Sequence, residues 1–250
     1  MCLIKPANES PFIMIDYVIP PYPRASAAVM SSKQRFPVRR IFCVGRNYGA
    51  HAREMGFSDK EPPFLFTKPA DALAETGATI PYPPLTKDLH HEIELVLAVG
   101  KSGANIAAED AMMHIWGAGV GIDFTRRDLQ IAHREKGRPW DWGKAFDHSA
   151  PLSPLIPLAD IPKAQAGFNT GRIWLSVNGE LRQDADLSEL IWSVTDIIAF
   201  CSQSVRLQAG DLIFTGTPAG VSAVGPGDSL SGGVDGIGEI QITLGEREAV

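Results

Sequence analysis

Cysteine is scarce in this chain: Cys2, Cys43 and Cys201 are the only three in 250 residues. Their odd number and wide spacing give no CxxC pair, no His–Cys metal pattern and no disulfide framework, so reduced thiols in a cytoplasmic protein are the expectation. No apolar run approaches the ~20 residues of a membrane span. The first residues, Met1 to Ile13, lack the charged-then-apolar order of a secretory signal. Positive charge is in deficit. There are 23 Lys and Arg against 29 Asp and Glu, for a formal net charge of -6, which argues against a nucleic-acid partner. The run Gly117-Ala118-Gly119-Val120-Gly121 lacks a complete dinucleotide fingerprint and leads into a strand bearing an acid, not into a helix. Internal repeats and low-complexity blocks are missing too. What remains is ordinary globular composition, 44% hydrophobic, enough to bury one large core.

Residues 1–37 are rich in Pro, Ser and Ala without a sustained period and read as an arm or tail; residues 38–250 read as the folded domain. Arg40 to Gly45 and Pro63 to Pro69 read as short strands. Asn47 is placed to cap a short helix, Tyr48 to Met55, which Gly56 ends. Ala108 to Trp116 reads as helical, and Phe124 to Lys136 as a polar helix or turn. Ile173–Val177 and Glu180–Arg182 flank Asn178-Gly179, a strong hairpin signal. Leu187 to Cys201 carries apolar residues at helical spacing. The last third is short strands with glycine turns. Many short strands and few helices predict a β-rich α+β fold, a mixed roll or sandwich with peripheral helices.

The most telling stretch is His90-His91-Glu92-Ile93-Glu94-Leu95-Val96-Leu97-Ala98-Val99. In a strand, alternate side chains share a face, so Glu92 and Glu94 point the same way, roughly 7 Å apart at their bases. At an effective dielectric near 20 two like charges at that distance repel by about 2 kcal/mol. Either the face is wet or a cation sits between the carboxylates. Asp123, after the apolar run Gly119-Val120-Gly121-Ile122, supplies a third acid. Three carboxylates are hard oxygen donors that suit Mg²⁺, Mn²⁺ or Ca²⁺; from spacing alone, a solvated edge fits as well. His51 and Glu54 sit three apart on the expected short helix and could form a carboxylate-oriented general base, or an exposed pair. Lys68 and Lys144, each among aromatic and proline residues, could supply fixed positive charge or snorkel at the surface. The turn Thr215-Gly216-Thr217-Pro218 offers hydroxyls and backbone N–H groups to anionic oxygens.

In order and spacing, these pieces resemble the fumarylacetoacetate hydrolase family from about Ile41 to Leu244. The resemblance rests on Val44-Gly45-Arg46-Asn47-Tyr48 with His51 and Glu54, Phe66-Thr67-Lys68-Pro69, His91-Glu92-Ile93-Glu94 and Asp123-Phe124-Thr125-Arg126-Arg127-Asp128-Leu129-Gln130. It continues through Lys136-Gly137-Arg138-Pro139-Trp140, Lys144-Ala145-Phe146-Asp147, Val177-Asn178-Gly179-Glu180-Leu181-Arg182-Gln183 and Thr215-Gly216-Thr217-Pro218. It implies a mixed β-roll, a homodimer, and a divalent cation (Mg²⁺ first, Mn²⁺ or Ca²⁺ otherwise) on Glu92, Glu94 and Asp123. It also implies a catalytic His51–Glu54 dyad with Lys144, and substrate contacts from Arg127, Gln130 and Thr217. Asp186-Leu187-Ser188-Glu189-Leu190-Ile191-Trp192, Phe146-Asp147-His148-Ser149-Ala150-Pro151 and Phe36-Pro37-Val38-Arg39-Arg40 look like the fumarylpyruvate-hydrolysing branch. The implied activity is hydrolysis of a C–C bond in a 2,4-dioxo acid, fumarylpyruvate to fumarate and pyruvate. Within the same fold the alternatives are an acylpyruvase or an oxaloacetate decarboxylase; of another class, a non-catalytic metal- or ligand-binding protein. Arg46 and Arg138 are the candidates to meet a far substrate carboxylate.

Overall fold

The computed structural model describes residues 16–49, 62–162 and 167–247. Its largest element is an eight-stranded mixed sheet, in the order Phe64–Lys68, Arg40–Gly45, Asp211–Phe214, Ile93–Val99, Ile115–Ile122, Ala150–Leu152, Leu73–Glu75, with Ile156–Pro157 pairing Ile115–Ile122 beside that path. A five-stranded sheet runs Glu180–Asp186, Arg172–Val177, Ser229–Val234, Gly238–Arg247, Thr79–Tyr82. A small ribbon joins Thr125–Arg126, Leu89–His90 and Ala223–Val224. The expected β-rich architecture with marginal helices is what is found, its main sheet curled into a half-barrel.

Strand alternation builds the core. All seven residues of Ile93–Val99 are buried, because both faces of this central strand are covered. Ile93, Leu95, Leu97 and Val99 join Ile173, Leu175, Leu230, Ile240 and Ile242 of the five-stranded sheet in one apolar cluster. Val96 and Ala98, on the opposite face, join Ile41, Cys43, Leu212 and Phe214 in a second. Each fully buried aliphatic side chain contributes about 1.5–3 kcal/mol. By the same alternation Glu92 and Glu94 lie on the Val96 face, at the mouth of the second cluster. Gly121 pairs directly with Glu94, and a Cβ there would come 2.5 Å from the Phe214 ring; the glycine admits that close packing.

Several expectations shift in detail. Of the stretch read as an arm, Ser26–Ala28 and Arg35–Pro37 pair antiparallel, and Ala27 and Phe36 join the second cluster. The Ala108 segment is a 3₁₀ helix, Ala108–His114, and Trp116 belongs to the next strand. The polar helix starts at Arg127 and ends at Glu135, after the short strand Thr125–Arg126. The Leu187–Cys201 helix is two pieces, a 3₁₀ turn Leu187–Glu189 and an α-helix Val194–Ser204. Two capping boxes, Asp186 with Glu189 and Ser193 with Asp196, each start a new helix. Asn47 holds the extended link between them, donating to Trp192 O at 3.0 Å and accepting from Trp192 N at 2.8 Å. The Asn178-Gly179 hairpin is present, with φ of 52° and 82° at its two turn residues, the positive pair a type I′ turn needs. The expected helix Tyr48–Met55 runs into residues outside those described.

Candidate functional site

Antiparallel register brings the three acids together. Ile93 faces Ile122, so Glu92 and Asp123, one step beyond each, lie side by side, and Asp123 N donates to Glu92 O at 2.8 Å. Glu94 follows two residues along the same face. One carboxylate oxygen from each of Glu92, Glu94 and Asp123 lies within 4.8 Å of the others, and all three residues are buried.

Three buried cations answer them. Lys144 ends the helical turn Asp141–Lys144. Its Nζ donates to Glu92 Oε2 at 2.8 Å, to Asp123 Oδ2 at 2.6 Å and to Thr125 Oγ1 at 2.6 Å. Burial opposes its charge, but the attraction of Asp123 and Glu92 outweighs burial and holds its pKa above the ordinary lysine value. Lys68 Nζ lies 2.8 Å from Asp123 Oδ1, while its directed hydrogen bonds go to the carbonyls of Phe124 and Lys144. Asp123 Oδ1 is therefore ion-paired yet receives no directed hydrogen bond. Arg127 pairs through Nη2 with Glu92 Oε1 and donates through Nη1 to Gln130 Oε1 at 2.6 Å.

Glu94 has no lysine or arginine of its own in this network. Its Oε2 accepts from Gly216 N at 2.7 Å. Burial, reinforced by Asp123 and Glu92, pushes its carboxyl well above the usual 4.5. Three clustered carboxylates, one with an oxygen lacking a directed donor and one short of countercharge, are a donor set that fits a hard divalent cation. A carboxyl held above its usual range gives up its proton less readily, and the ion needs the carboxylate form, so affinity should rise with pH above the ordinary carboxylate range. In the metal-free protein the sign is opposite. Folded Glu94 holds its proton more tightly than the unfolded chain does, so its contribution to stability falls as pH climbs above 4.5 toward the raised folded value. Calorimetric titration with Mn²⁺ at about pH 6 and about pH 8 should show tighter binding at the higher pH with proton release. Equal affinity and no released proton would contradict a raised Glu94.

The Gly216 donor depends on an unusual backbone. Gly216 has φ of 100°, and a Cβ there would sit 2.7 Å from Asn47 Cβ. Gly216→Ala should cost about 1–3 kcal/mol of stability and weaken cation binding by moving the N–H away from Glu94. An unchanged melting temperature with unchanged Mn²⁺ affinity would remove Gly216 from the site.

A cleft opens over these groups, lined by Arg46, Phe66, Glu92, Glu94, Arg127, Gln130, Trp140, Lys144 and Thr217 among others. The structure thus gathers seven of the anticipated residues: Glu92, Glu94, Asp123, Lys144, Arg127, Gln130 and Thr217. His51 and Glu54 lie outside the described residues. Of the two arginines considered for a far carboxylate, Arg46 lines the cleft, whereas Arg138 is exposed and absent from its lining. Thr125 was not anticipated, whereas the Gly216 N–H on a carboxylate oxygen is the kind of contact expected of its turn. Thr125 could have been found by alternation from Asp123 along the short strand that follows it.

Comparison with known proteins agrees with this geometry. A family profile described as fumarylacetoacetate (FAA) hydrolase C-terminal matches residues 40–244. The chain belongs to the fumarylacetoacetate hydrolase family. It is 46% identical over 188 residues to a fumarylpyruvate hydrolase of a Ralstonia species, covering 75% of this chain and 95% of the relative. It is 41% identical over 199 residues to the mitochondrial oxaloacetate tautomerase of Rattus norvegicus, covering 80% and 88%. The crystal structure of a fumarylpyruvate hydrolase from Pseudomonas aeruginosa in complex with Mn²⁺ and pyruvate superposes with a TM-score of 0.87 at 48% identity, covering 93% of this chain and 100% of that one. Among the described residues no helix is long and apolar enough to cross a membrane.

Proposed function

We propose that this protein hydrolyses the C3–C4 bond of a 2,4-dioxo acid, fumarylpyruvate above all, to fumarate and pyruvate, with a divalent cation on Glu92, Glu94 and Asp123. The observation that carries this reading is the buried carboxylate triangle beside Lys144, opening into a cleft with Arg127, Gln130, Thr217 and Arg46. When bound, the cation acts as a Lewis acid toward the 2-oxo acid end of the substrate. Mg²⁺ is our first choice; the Pseudomonas aeruginosa relative holds Mn²⁺, which the same oxygens accept.

Three acids against Lys68, Lys144 and Arg127 balance to zero, so a divalent ion leaves the site at +2. That surplus suits a substrate carrying a carboxylate and developing a second negative charge. In this reading Arg127, Gln130 and Thr217 hold the carboxylate of the pyruvyl end. His51, oriented by Glu54, takes a proton from water, which adds to the C4 carbonyl. The C3–C4 bond then breaks, its electrons pass to the pyruvyl fragment, and the fixed positive charge of Lys144, whose three N–H groups hold Glu92, Asp123 and Thr125, steadies the developing charge electrostatically. Protonation at C3 completes pyruvate, and the acyl fragment leaves as fumarate carrying the water oxygen. Arg46, at the cleft wall, is our candidate for the far carboxylate of fumarylpyruvate.

The oxaloacetate tautomerase relatives support a second reading. Tautomerisation needs the same grip on a 2-oxo acid and a proton moved between carbon and oxygen, but no water attack and no broken C–C bond. Simple acylpyruvate hydrolysis and oxaloacetate decarboxylation remain variants of the same site. Proton NMR of the products separates them. Equal amounts of fumarate and pyruvate from fumarylpyruvate support our reading; intact carbon skeletons with only keto–enol exchange would replace it. We also propose a homodimer and a cytoplasmic location, the latter in keeping with the buried free thiols Cys43 and Cys201 among the described residues.

A further inference from the structure

We infer that Gln183, backed by His91, is a positioning residue that fixes the Thr217 hydroxyl as a hydrogen-bond donor into the cleft. The inference rests on the substrate-binding role proposed for Thr217. It starts from an amide whose orientation two backbone groups decide. Gln183 Oε1 accepts from Ile93 N at 3.1 Å, and its Nε2 donates to Pro218 O at 2.8 Å. A backbone N–H can only donate and a carbonyl can only accept, so the amide cannot be flipped. The oxygen end then also takes His91 Nδ1 at 2.9 Å, which must carry its hydrogen. The His91 ring is braced at Nε2 by Ser222 Oγ at 2.9 Å. The remaining Nε2 hydrogen goes to Thr217 Oγ1 at 2.8 Å.

Thr217 Oγ1 is thereby an acceptor from Gln183, and its single hydrogen is left for another partner. Among the described residues it donates to none. Thr217 lines the cleft, so that hydrogen faces the space where a carboxylate would lie. Thr215, two residues earlier, makes the contrast: its hydroxyl donates to Leu95 O at 2.9 Å and is used up in fastening the loop to the acid-bearing strand. His91 and Gln183 are fully buried, and the relay they form passes one polarity, donor toward cleft, from Ile93 N and His91 to Thr217.

The test is a double-mutant cycle. Gln183→Glu keeps the shape but offers only acceptors, so the Thr217 hydroxyl turns toward residue 183 and is lost to substrate. Hydrogen bonds to charged groups are worth roughly 10- to 100-fold. We expect KM for fumarylpyruvate to rise by about that factor in Gln183→Glu and in Thr217→Val, with kcat within about threefold and Mn²⁺ affinity unchanged. In the Thr217→Val background, Gln183→Glu should add little. Additive losses, or a normal KM in Gln183→Glu, overturn the inference. If Gln183→Glu does not fold, His91→Leu replaces it in the cycle, and His91→Asn, which keeps a donor toward Gln183, should restore most of the loss; no restoration overturns the inference. If the unmodified protein cleaves no dioxo acid, the proposed function has failed on its own. The same cycle is then read on pyruvate binding by calorimetry with Mn²⁺ present, where a matched, non-additive loss supports the relay. Additive losses, or no pyruvate binding at all, overturn it.

Discussion

Lys144→Met should lower kcat by about 10²–10³-fold, the usual loss when one charge-stabilising donor is removed from an active site, while divalent-cation affinity holds or tightens. The reasoning is electrostatic. Lys144 Nζ is bonded to Glu92 Oε2 and Asp123 Oδ2, on two of the three carboxylates that would hold the ion. Removing it takes a competing cation from those carboxylates without removing any anionic residue that would hold the ion. In the metal-free protein the same change strips a buried pair of its partner, which costs about 3–5 kcal/mol, and added cation should recover much of it. Steady-state kinetics, Mn²⁺ calorimetry and melting with and without metal check the three parts. If Mn²⁺ binding is lost along with turnover, Lys144 builds the ion site and does not act on substrate.

Asp123→Asn should do the reverse, weakening Mn²⁺ or Mg²⁺ binding by on the order of 100-fold or more, since ligand charge sets affinity in all-oxygen sites. It also removes the countercharge of two buried ammonium groups, Lys68 at 2.8 Å and Lys144 at 2.6 Å. Metal-free stability should drop by about 3–5 kcal/mol. The control is Asp128→Asn on the neighbouring helix. Its carboxylate is occupied by Thr86 Oγ1 at 2.6 Å and Lys87 N at 3.0 Å, outside the triangle, so cation affinity should not change. Equal effects from the two substitutions, read by calorimetry, would mean that the loss reflects general damage.

The acids were legible because their chemistry conflicts with their setting. Two glutamates on one face of an otherwise apolar strand demand compensation, and strand alternation alone puts them together. What the strand could not reveal is its partner. That Ile93 pairs with Ile122, which sets Asp123 beside Glu92, is a long-range register decided by the whole sheet. Lys68 and Lys144 showed the same limit. Both were visible as lysines among bulky neighbours, but only the fold brings both to Asp123. Local signals failed where two of them competed: the apolar spacing of Leu187 to Cys201 suggested one helix, and two capping boxes with the Asn47 clamp made two. The hairpin at Asn178-Gly179 was readable because its turn chemistry is local. Gln183 was readable only as part of a motif. Its function as a polarity-fixing amide depends on Ile93 N, 90 residues away, and on a carbonyl at Pro218.

The most direct test of the account is a side-by-side assay of fumarylpyruvate, acetylpyruvate and oxaloacetate, following loss of dioxo-acid absorbance or enol–keto exchange, with Mg²⁺ or Mn²⁺ and with chelator. The account predicts metal-dependent cleavage with the highest kcat/KM on fumarylpyruvate, abolished by chelator and restored by either ion. Cleavage that survives metal removal, or exchange of oxaloacetate with no cleavage of either dioxo acid, would contradict it.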